Sequence, residues 1–239
     1  MLESIRRALE DFSGTTETDE TLWRSTANPI LRTRVQQYLY KSMHQTQMVG
    51  PKWTNIRGFR QRMDCAICHS LDTMNHILTQ CQANTTRIPW ELAKAAWPHR
   101  DAWWPNISLG IILGVGCINI PTRREDQNQR DQDQQHSHRC KAPTRLLRLL
   151  ISETAHLVWV LRCERVIQNV PITDQQIRGR WLRAINDRLT CDRIIATKIK
   201  KDKKYTNLIK NTWEPLLHKQ RDLPDNWINN REVLVGSGA

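Results

Sequence analysis

Apolar residues recur along most of this chain every three or four positions, the spacing of one face of a helix. Leu2, Ile5, Leu9 and Phe12 follow it, and the polar "SGTTETDE" then ends the pattern. "NPILRTRVQQYLYKSMH" predicts a second helix, with Asn28 as cap and Pro29 in the first turn. Leu31, Val35, Tyr38 and Leu39 line its inner face. "MVGPKWTNIRG" reads as a loop, and "PWELAKAAW" as a short helix opening at Pro89. "WWPNISLGIILGVGC" is apolar, aromatic and glycine-containing; periodicity leaves a buried strand and an irregular packed segment both open.

The clearest helix is "PTRLLRLLISETAHLVWVLRCERVIQN", where Leu146, Leu150, Ala155, Val158, Trp159 and Cys163 keep to a broad stripe. In "TDQQIRGRWLRAINDRLTCDR", Thr173 and Gln176 have the spacing of a capping box. Ile177, Trp181, Ile185 and Leu189 mark its buried face. A basic run and a further short helix follow in "KIKKDKKYTNLIKNTW". Period-two stretches are few, and neither a hairpin signature nor an internal repeat is present. The expected class is mainly α, an irregular helical domain with a Cys/His knuckle near the N-terminal third. Residues 119–142 have almost no apolar content and are expected to form a flexible polar loop between a part spanning 1–118 and a part spanning 143–235. The terminal "GSGA", residues 236–239, reads as an appended tail.

Composition sharpens this picture. Only 39% of the 239 residues are hydrophobic, but ten are tryptophans, so a core is feasible while some segments must be solvated. Lys and Arg total 36 against 24 Asp and Glu, for a net charge of +12. That excess favours a polyanion as partner, nucleic acid before an anionic membrane surface. No run of about 18 apolar residues predicts a membrane span. "MLESIRRALEDF" lacks the apolar centre of a signal peptide. The expected location is therefore nuclear or cytoplasmic, not secreted. There cysteines bind metal more readily than they form disulfides.

Chemistry concentrates in "DCAICHSLDTMNHILTQC". The order Cys65-x2-Cys68-x7-His76-x4-Cys81 supplies four soft ligands at knuckle-like spacing. The expected cofactor is one Zn2+, with Asp72 or Thr73 capping a short helix that carries His76 and Cys81. Four protein ligands leave no open position, so this zinc would be structural. A five-residue step from His76 to Cys81 is awkward for an α-helix, so the last turn must unwind or tighten. Ile77 and Leu78 are placed to pack the knuckle onto the core, and His69 is left to solvent or to a supporting role. Two other readings stay open: "CAICH" matches a haem-attachment signature, and buried or surface cysteines with no metal are the alternative. Haem attachment conflicts with the missing export signal. "HSHRC", His136 to Cys140, reads as a solvated tract, Cys117, Cys163 and Cys191 as core thiols, and Glu153 and Arg162 as members of a buried ion-pair network.

No phosphate loop, nucleophile elbow, H-E-x-x-H motif or carboxylate cluster is present, so no catalytic residue is assigned and the chain is not expected to be an enzyme. The basic residues are better organised. Arg178, Arg180, Arg183, Arg188 and Arg193 recur along one predicted helix, and Lys198, Lys200, Lys201, Lys203 and Lys204 follow. These ten are the expected contacts to RNA or DNA phosphates. Trp181, among the arginines, is expected in the core rather than stacked on a base.

Cys65, Cys68, His76 and Cys81, followed by "IPWELAKAAW", resemble the reverse-transcriptase zinc-binding domain at the C-terminal end of non-LTR, LINE-like retroelement polyproteins. "LWRSTANPILRTRVQQYLYKSMHQTQMVGPKWTNI" resembles the segment before that knuckle. "ISETAHLVWVLRCERVI", "RGRWLRAINDRLTCDR" and "LPDNWINNREVLVG" are similar to the tail of fungal retroelement proteins that carry a ribonuclease H domain. The resemblance covers nearly the whole chain. It implies a non-catalytic accessory tail in which zinc stabilises a nucleic-acid-binding fold, with a reverse transcriptase/ribonuclease H polypeptide as a further partner. The chain lacks the Tyr-x-Asp-Asp motif and a ribonuclease H carboxylate set. The alternative is a domesticated helical scaffold or protein-interaction domain whose zinc is purely structural.

Overall fold

The computed structural model describes residues 1–99, 103–120, 133–199, 202–218, 223–224, 226–230 and 232–236, with backbone alone for 133–140. Eight α-helices are formed among them: α1 (Leu2–Ser13), α2 (Asp19–Ser25), α3 (Thr33–Met43), α4 (Asn84–Ala95), α5 (Leu109–Leu113), α6 (Asp133–Ile167), α7 (Asp174–Lys198) and α8 (Lys203–Trp213). The described residues contain no strand, only isolated bridges between Asp64 and Leu71 and between Leu217 and Val235. The mainly α expectation holds. No described helix is long and apolar enough to cross a membrane.

Helix α6 is the axis of the packing. It touches α3, α4, α5, α7 and α8, so apolar side chains are buried around much of its circumference: Leu146, Leu147, Leu150, Ile151, Val158 and Leu161 are each 1% exposed or less. Burying one such side chain contributes about 1.5–3 kcal/mol. The expected parts, 1–118 and 143–235, share one core. Ile5, Leu22, Leu39 and Ile112 share one hydrophobic cluster with Leu150, Trp181 and Trp213. The expected polar loop is shortened at both ends. Ile120 is buried and its N–H donates to Thr144 Oγ1 at 3.1 Å, while residues 133–142 are already helical in α6. The rest of that loop, 121–132, and the side chains of His136 to Cys140 lie outside the described residues.

Other boundaries moved because tertiary contacts claimed the capping groups. Helix α3 starts at Thr33 and not beside Pro29, because Asn28 is engaged elsewhere. Its Oδ1 accepts from the Ile30 N–H at 3.0 Å and its Nδ2 donates to the Gly116 carbonyl at 3.0 Å. Helix α4 starts five residues before Pro89 and contains it. Buried Thr85, Thr86 and Ile88 hold its first turns, although proline removes one backbone hydrogen bond. Helix α2 starts inside the polar break of the N-terminal region, at Asp19, capped by Thr18. The undecided 103–117 segment contains the short helix α5, with Ser108 Oγ accepting the Ile111 N–H. Its glycines set how closely it packs: a Cβ at Gly110 would lie 2.7 Å from Ala8 Cβ, and one at Gly116 only 2.2 Å from the Ser25 carbonyl oxygen. The Thr173/Gln176 capping box forms as expected. Gly236, read as part of a tail, donates its N–H to the Leu216 carbonyl at 2.9 Å; residues 237–239 lie outside the described residues.

Several polar groups on α6 meet partners from different parts of the chain. Glu153 accepts a two-pronged contact from Arg32, and Arg162 donates Nε and Nη2 to Asp72 Oδ2. His156 lies edge-on to the Tyr38 ring at 5.6 Å. Burial, reinforced by the nearby Arg34 and Arg32 charges, lowers the His156 pKa to about 4. A histidine held neutral in the fold stabilises it fully above its unfolded pKa of about 6.5, and that contribution is lost as pH falls towards 4. Urea unfolding of the parent and of His156→Phe, compared at pH 7 and pH 4.5, is expected to show the parent losing about 2–3 kcal/mol more than the variant. Equal losses would remove His156 from the acid response.

Candidate metal centre

The knuckle begins as a miniature hairpin. The Cys65 N–H donates to the Ser70 carbonyl and the Asp72 N–H to the Met63 carbonyl, at 2.8 and 2.9 Å. Between them the chain turns through Cys65–Cys68 and closes with the His69 N–H on the Cys65 carbonyl at 2.8 Å. His69 adopts the left-handed conformation at φ 52°, and its side chain is exposed. It therefore points the chain without joining the ligand group, unlike the His of a haem-attachment motif, which binds the iron.

The second half solves the five-residue step by widening the helix. In an α-helix His76 and Cys81 would face directions about 140° apart. Here His76–Gln80 is a π-helical turn, and the Cys81 N–H donates to the His76 carbonyl five residues back, at 2.8 Å. Thr73, not Asp72, caps the turn: its Oγ1 accepts the His76 N–H at 3.1 Å. Asp72 is taken by Arg162 of α6 in a contact with both side chains buried. Ile77 and Leu78 enter the main core at 1% and 0% exposure, as expected. Trp90 of α4 donates its indole N–H to the Leu78 carbonyl at 2.8 Å, fixing the turn from the other side.

Three thiols and an imidazole converge as a result. The ligand atoms of Cys65, Cys68, His76 and Cys81 all lie within 4.8 Å of one another. Cys81 Sγ is 3.7 Å from Cys65 Sγ and 3.9 Å from Cys68 Sγ. Those are the edges of a tetrahedron whose metal–sulfur bonds are about 2.3 Å, for which the sulfur–sulfur edge is about 3.8 Å. The imidazole gives a second test. His76 Nε2 is buried without a hydrogen-bond partner, whereas Nδ1 meets Ser70 Oγ at 3.3 Å. A buried nitrogen with no partner costs free energy that a metal ion would recover, and the bond on Nδ1 orients the ring for it. The Gln82 N–H donates to Cys68 Sγ at 3.3 Å, a contact that stabilises a thiolate. The residues thus fit a metal ion.

The thiols also differ in acidity. Burial pushes Cys65 up, but the N–H groups of Cys68 and Ile67 and the contacts with His76 and Cys81 outweigh it, bringing the thiol down to about 6. Cys81 is pushed up to about 11 by burial and by the neighbouring Cys65 charge. One thiolate forms readily, and a second is opposed by the first. A divalent cation among them reverses that repulsion.

The proposed phosphate contacts fare unevenly. Arg178, Arg183, Lys198, Lys203 and Lys204 are exposed. Arg180 is half-buried and paired with Glu164 in a two-pronged contact. Arg188 and Arg193 were misplaced on the surface: each is 6% exposed. Arg188 Nη2 lies 2.7 Å from Asp192 Oδ1, and Arg193 Nε donates to the Ile228 carbonyl at 3.0 Å. Their positions on α7 turn them inward, where Asp192 and a C-terminal carbonyl offset the burial of charge. Lys200 and Lys201 lie outside the described residues. Trp181 is in the core, as expected, with its indole N–H on Thr154 Oγ1 at 3.0 Å. Cys117 is buried, whereas Cys163 and Cys191 are only half-buried. The sequence reading missed Asp192, which is fully buried and joins Arg145, Arg188 and Trp213. An acid on the inner face of a predicted helix, one turn after an arginine, was the available signal.

No protein-family model matches the chain, and neither does any curated protein or solved structure.

Proposed function

We propose that this chain is a non-catalytic, zinc-stabilised module that binds RNA or DNA, derived from the C-terminal part of a LINE-like retroelement polyprotein. Cys65, Cys68, His76 and Cys81 would hold the ion, and zinc suits a closed site of three thiolates and one imidazole. Its contribution would be structural, because four protein ligands leave no position for a substrate or water. One observation carries the nucleic-acid reading: Arg178, Arg183, Lys198, Lys203 and Lys204 are exposed and free of ion pairs among the described residues, in a chain of net charge +12. Unpaired cations exchange counterions for phosphates, so binding weakens steeply with salt. The retroelement origin rests on the resemblance of the knuckle and its flanking segments.

A salt titration of binding tests this. Single-stranded RNA, single-stranded DNA and duplex should all bind at low salt, with affinity falling by roughly 0.7–0.9 logarithmic units per tenfold salt for each phosphate neutralised. Lys198→Ala, Lys203→Ala and Lys204→Ala together should flatten that slope by roughly 2 to 3 and weaken binding about equally across sequences. An unchanged slope would show these lysines to be an idle solvated face.

A second reading has its own support. Ile194, Ile195 and Ile199, at the end of α7, are 48%, 37% and 45% exposed, an apolar group beside Lys198. Such a patch fits a scaffold that docks another protein. Absence of nucleic-acid binding even at low salt would favour it.

A further inference from the structure

A cavity of about 550 Å³ opens between the α2–α3 connection, the segment before α6, and α6, α7 and α8. Ligand pockets of roughly 300–1,000 Å³ are the usual size for small molecules. Its apolar wall comes from Ile30, Ile120, Ile195 and Leu208, joined by the ring-bearing Tyr205. Its polar wall is cationic: Lys141, Arg145, Arg148 and Arg188 line it, and no carboxylate does among the described residues. Asp192, just behind, lies 2.7 Å from both Arg145 Nη1 and Arg188 Nη2. Asp192 thus pairs with two of the four cations, and no carboxylate lines the cavity itself among the described residues.

Two of those cations, Arg148 and Lys141, form no ion pair among the described residues, although the Glu17 carboxylate acts on Arg148 from a distance. Arg148 Nε donates to the Ile118 carbonyl at 2.8 Å and its Nη2 to Asn119 Oδ1 at 3.1 Å, which hold the guanidinium in place and leave Nη1 without a hydrogen bond among the described residues. Lys141 is exposed at the rim and forms no described ion pair. Arg148 is half-buried, and desolvation opposes its charged form more than the Glu17 charge supports it. A fixed guanidinium fork and a flexible ammonium together match a phosphate, while the apolar wall matches an organic body.

We propose that this cavity binds an organic phosphate, with the phosphate on Arg148 and Lys141 and an aromatic or apolar body against Ile120, Ile195, Tyr205 and Leu208. The same chemistry has two sources, a free mononucleotide or the phosphorylated end of a nucleic-acid strand. The cavity stands on its own residues and does not depend on the metal centre or on the lysines of α7 and α8.

Calorimetric titration of the zinc-loaded chain with AMP tests it. Saturable binding at one site is expected, with adenosine and inorganic phosphate each at least tenfold weaker because each lacks one half of the contacts. Arg148→Met should weaken AMP binding by about tenfold or more, and Lys141→Glu by about fivefold or more. Ile195→Trp, which fills the cavity from a partly exposed position, should abolish it. If Arg148→Met fails to fold, Lys141→Glu and Ile195→Trp still decide. No saturable AMP binding at millimolar concentration, or equal binding by Lys141→Glu and Ile195→Trp, overturns the proposal. A 5′-phosphorylated oligonucleotide that outbinds its 5′-hydroxyl counterpart, with the difference lost in Ile195→Trp, identifies a strand end as the source; AMP binding without that preference identifies a free nucleotide. Loss of all strand binding with AMP binding retained would remove the nucleic-acid reading and leave the cavity assigned.

Discussion

Stripping the metal is expected to unfold residues 64–82 and to lower the melting temperature of the whole chain by more than about 10 °C. Structural zinc in small peptides contributes about 10–16 kcal/mol of binding free energy, comparable to the net stability of a domain. The loss will not stay local. Ile77 and Leu78 sit in the same turn as His76 and are core residues, and Thr86 of α4 donates its hydroxyl to the Ile77 carbonyl at 3.1 Å. With no ion between them, Cys65 and Cys81 would repel as thiolates, and nothing would tie the π turn to the hairpin through His76. The measurements are elemental analysis of protein purified without chelators, expected to give one zinc per chain, and thermal unfolding before and after chelation. Cys68→Ser should lose most of the metal. Protein with no metal, or metal-free protein that melts like the loaded form, would sink the assignment.

Asp72→Ala should be the most damaging single substitution away from the metal ligands. Arg162 is 1% exposed and directs both Nε and Nη2 at one oxygen of Asp72, so the alanine variant leaves a buried guanidinium with no counter-charge. Breaking a buried pair from one side costs about 3–5 kcal/mol, or roughly 6–20 °C for a chain of this size. The control is the double variant Asp72→Leu with Arg162→Met. Removing both charges removes the desolvation cost along with the attraction, so it should recover a large part of the loss. Metal content must be measured in parallel, because Asp72 ends the hairpin that carries Cys65 and Cys68. A single variant that melts within about 1 °C of the parent would show that water reaches Arg162, against the burial seen.

Much of the helical content was legible because it depends on local spacing. The Leu2–Phe12 stripe, the run from Leu146 to Val158 and the capping box at Thr173 each encode a helix within a few residues. The four candidate metal ligands were legible for a similar reason: thiols and an imidazole at short intervals can meet with little help from the rest of the chain. The widened turn was half visible. The five-residue step from His76 to Cys81 announced that an α-helix would not serve, but not which way the helix would deform.

The failures share one cause. Asn28 was read as a cap from its neighbours, yet its side chain bonds Gly116, 88 residues away in sequence. Arg188 and Arg193 looked like members of a basic surface because charge was counted along the chain. Asp192, one turn along the same helix, and the Ile228 carbonyl, 35 residues beyond Arg193, make burial of those arginines tolerable. The 119–142 segment looked polar throughout, although Ile120 is buried and α6 extends back through Asp133.

The sequence by itself determined the helical class, the four residues that converge as a candidate metal site and the excess of positive charge, since each follows from residue type and near-neighbour spacing. Only the tertiary structure decided which cations face water, which are neutralised inside, and that Arg148 and Lys141 border a cavity. The burial of a charge depends on what lies across from it in space, and periodicity along a chain carries no information about that partner.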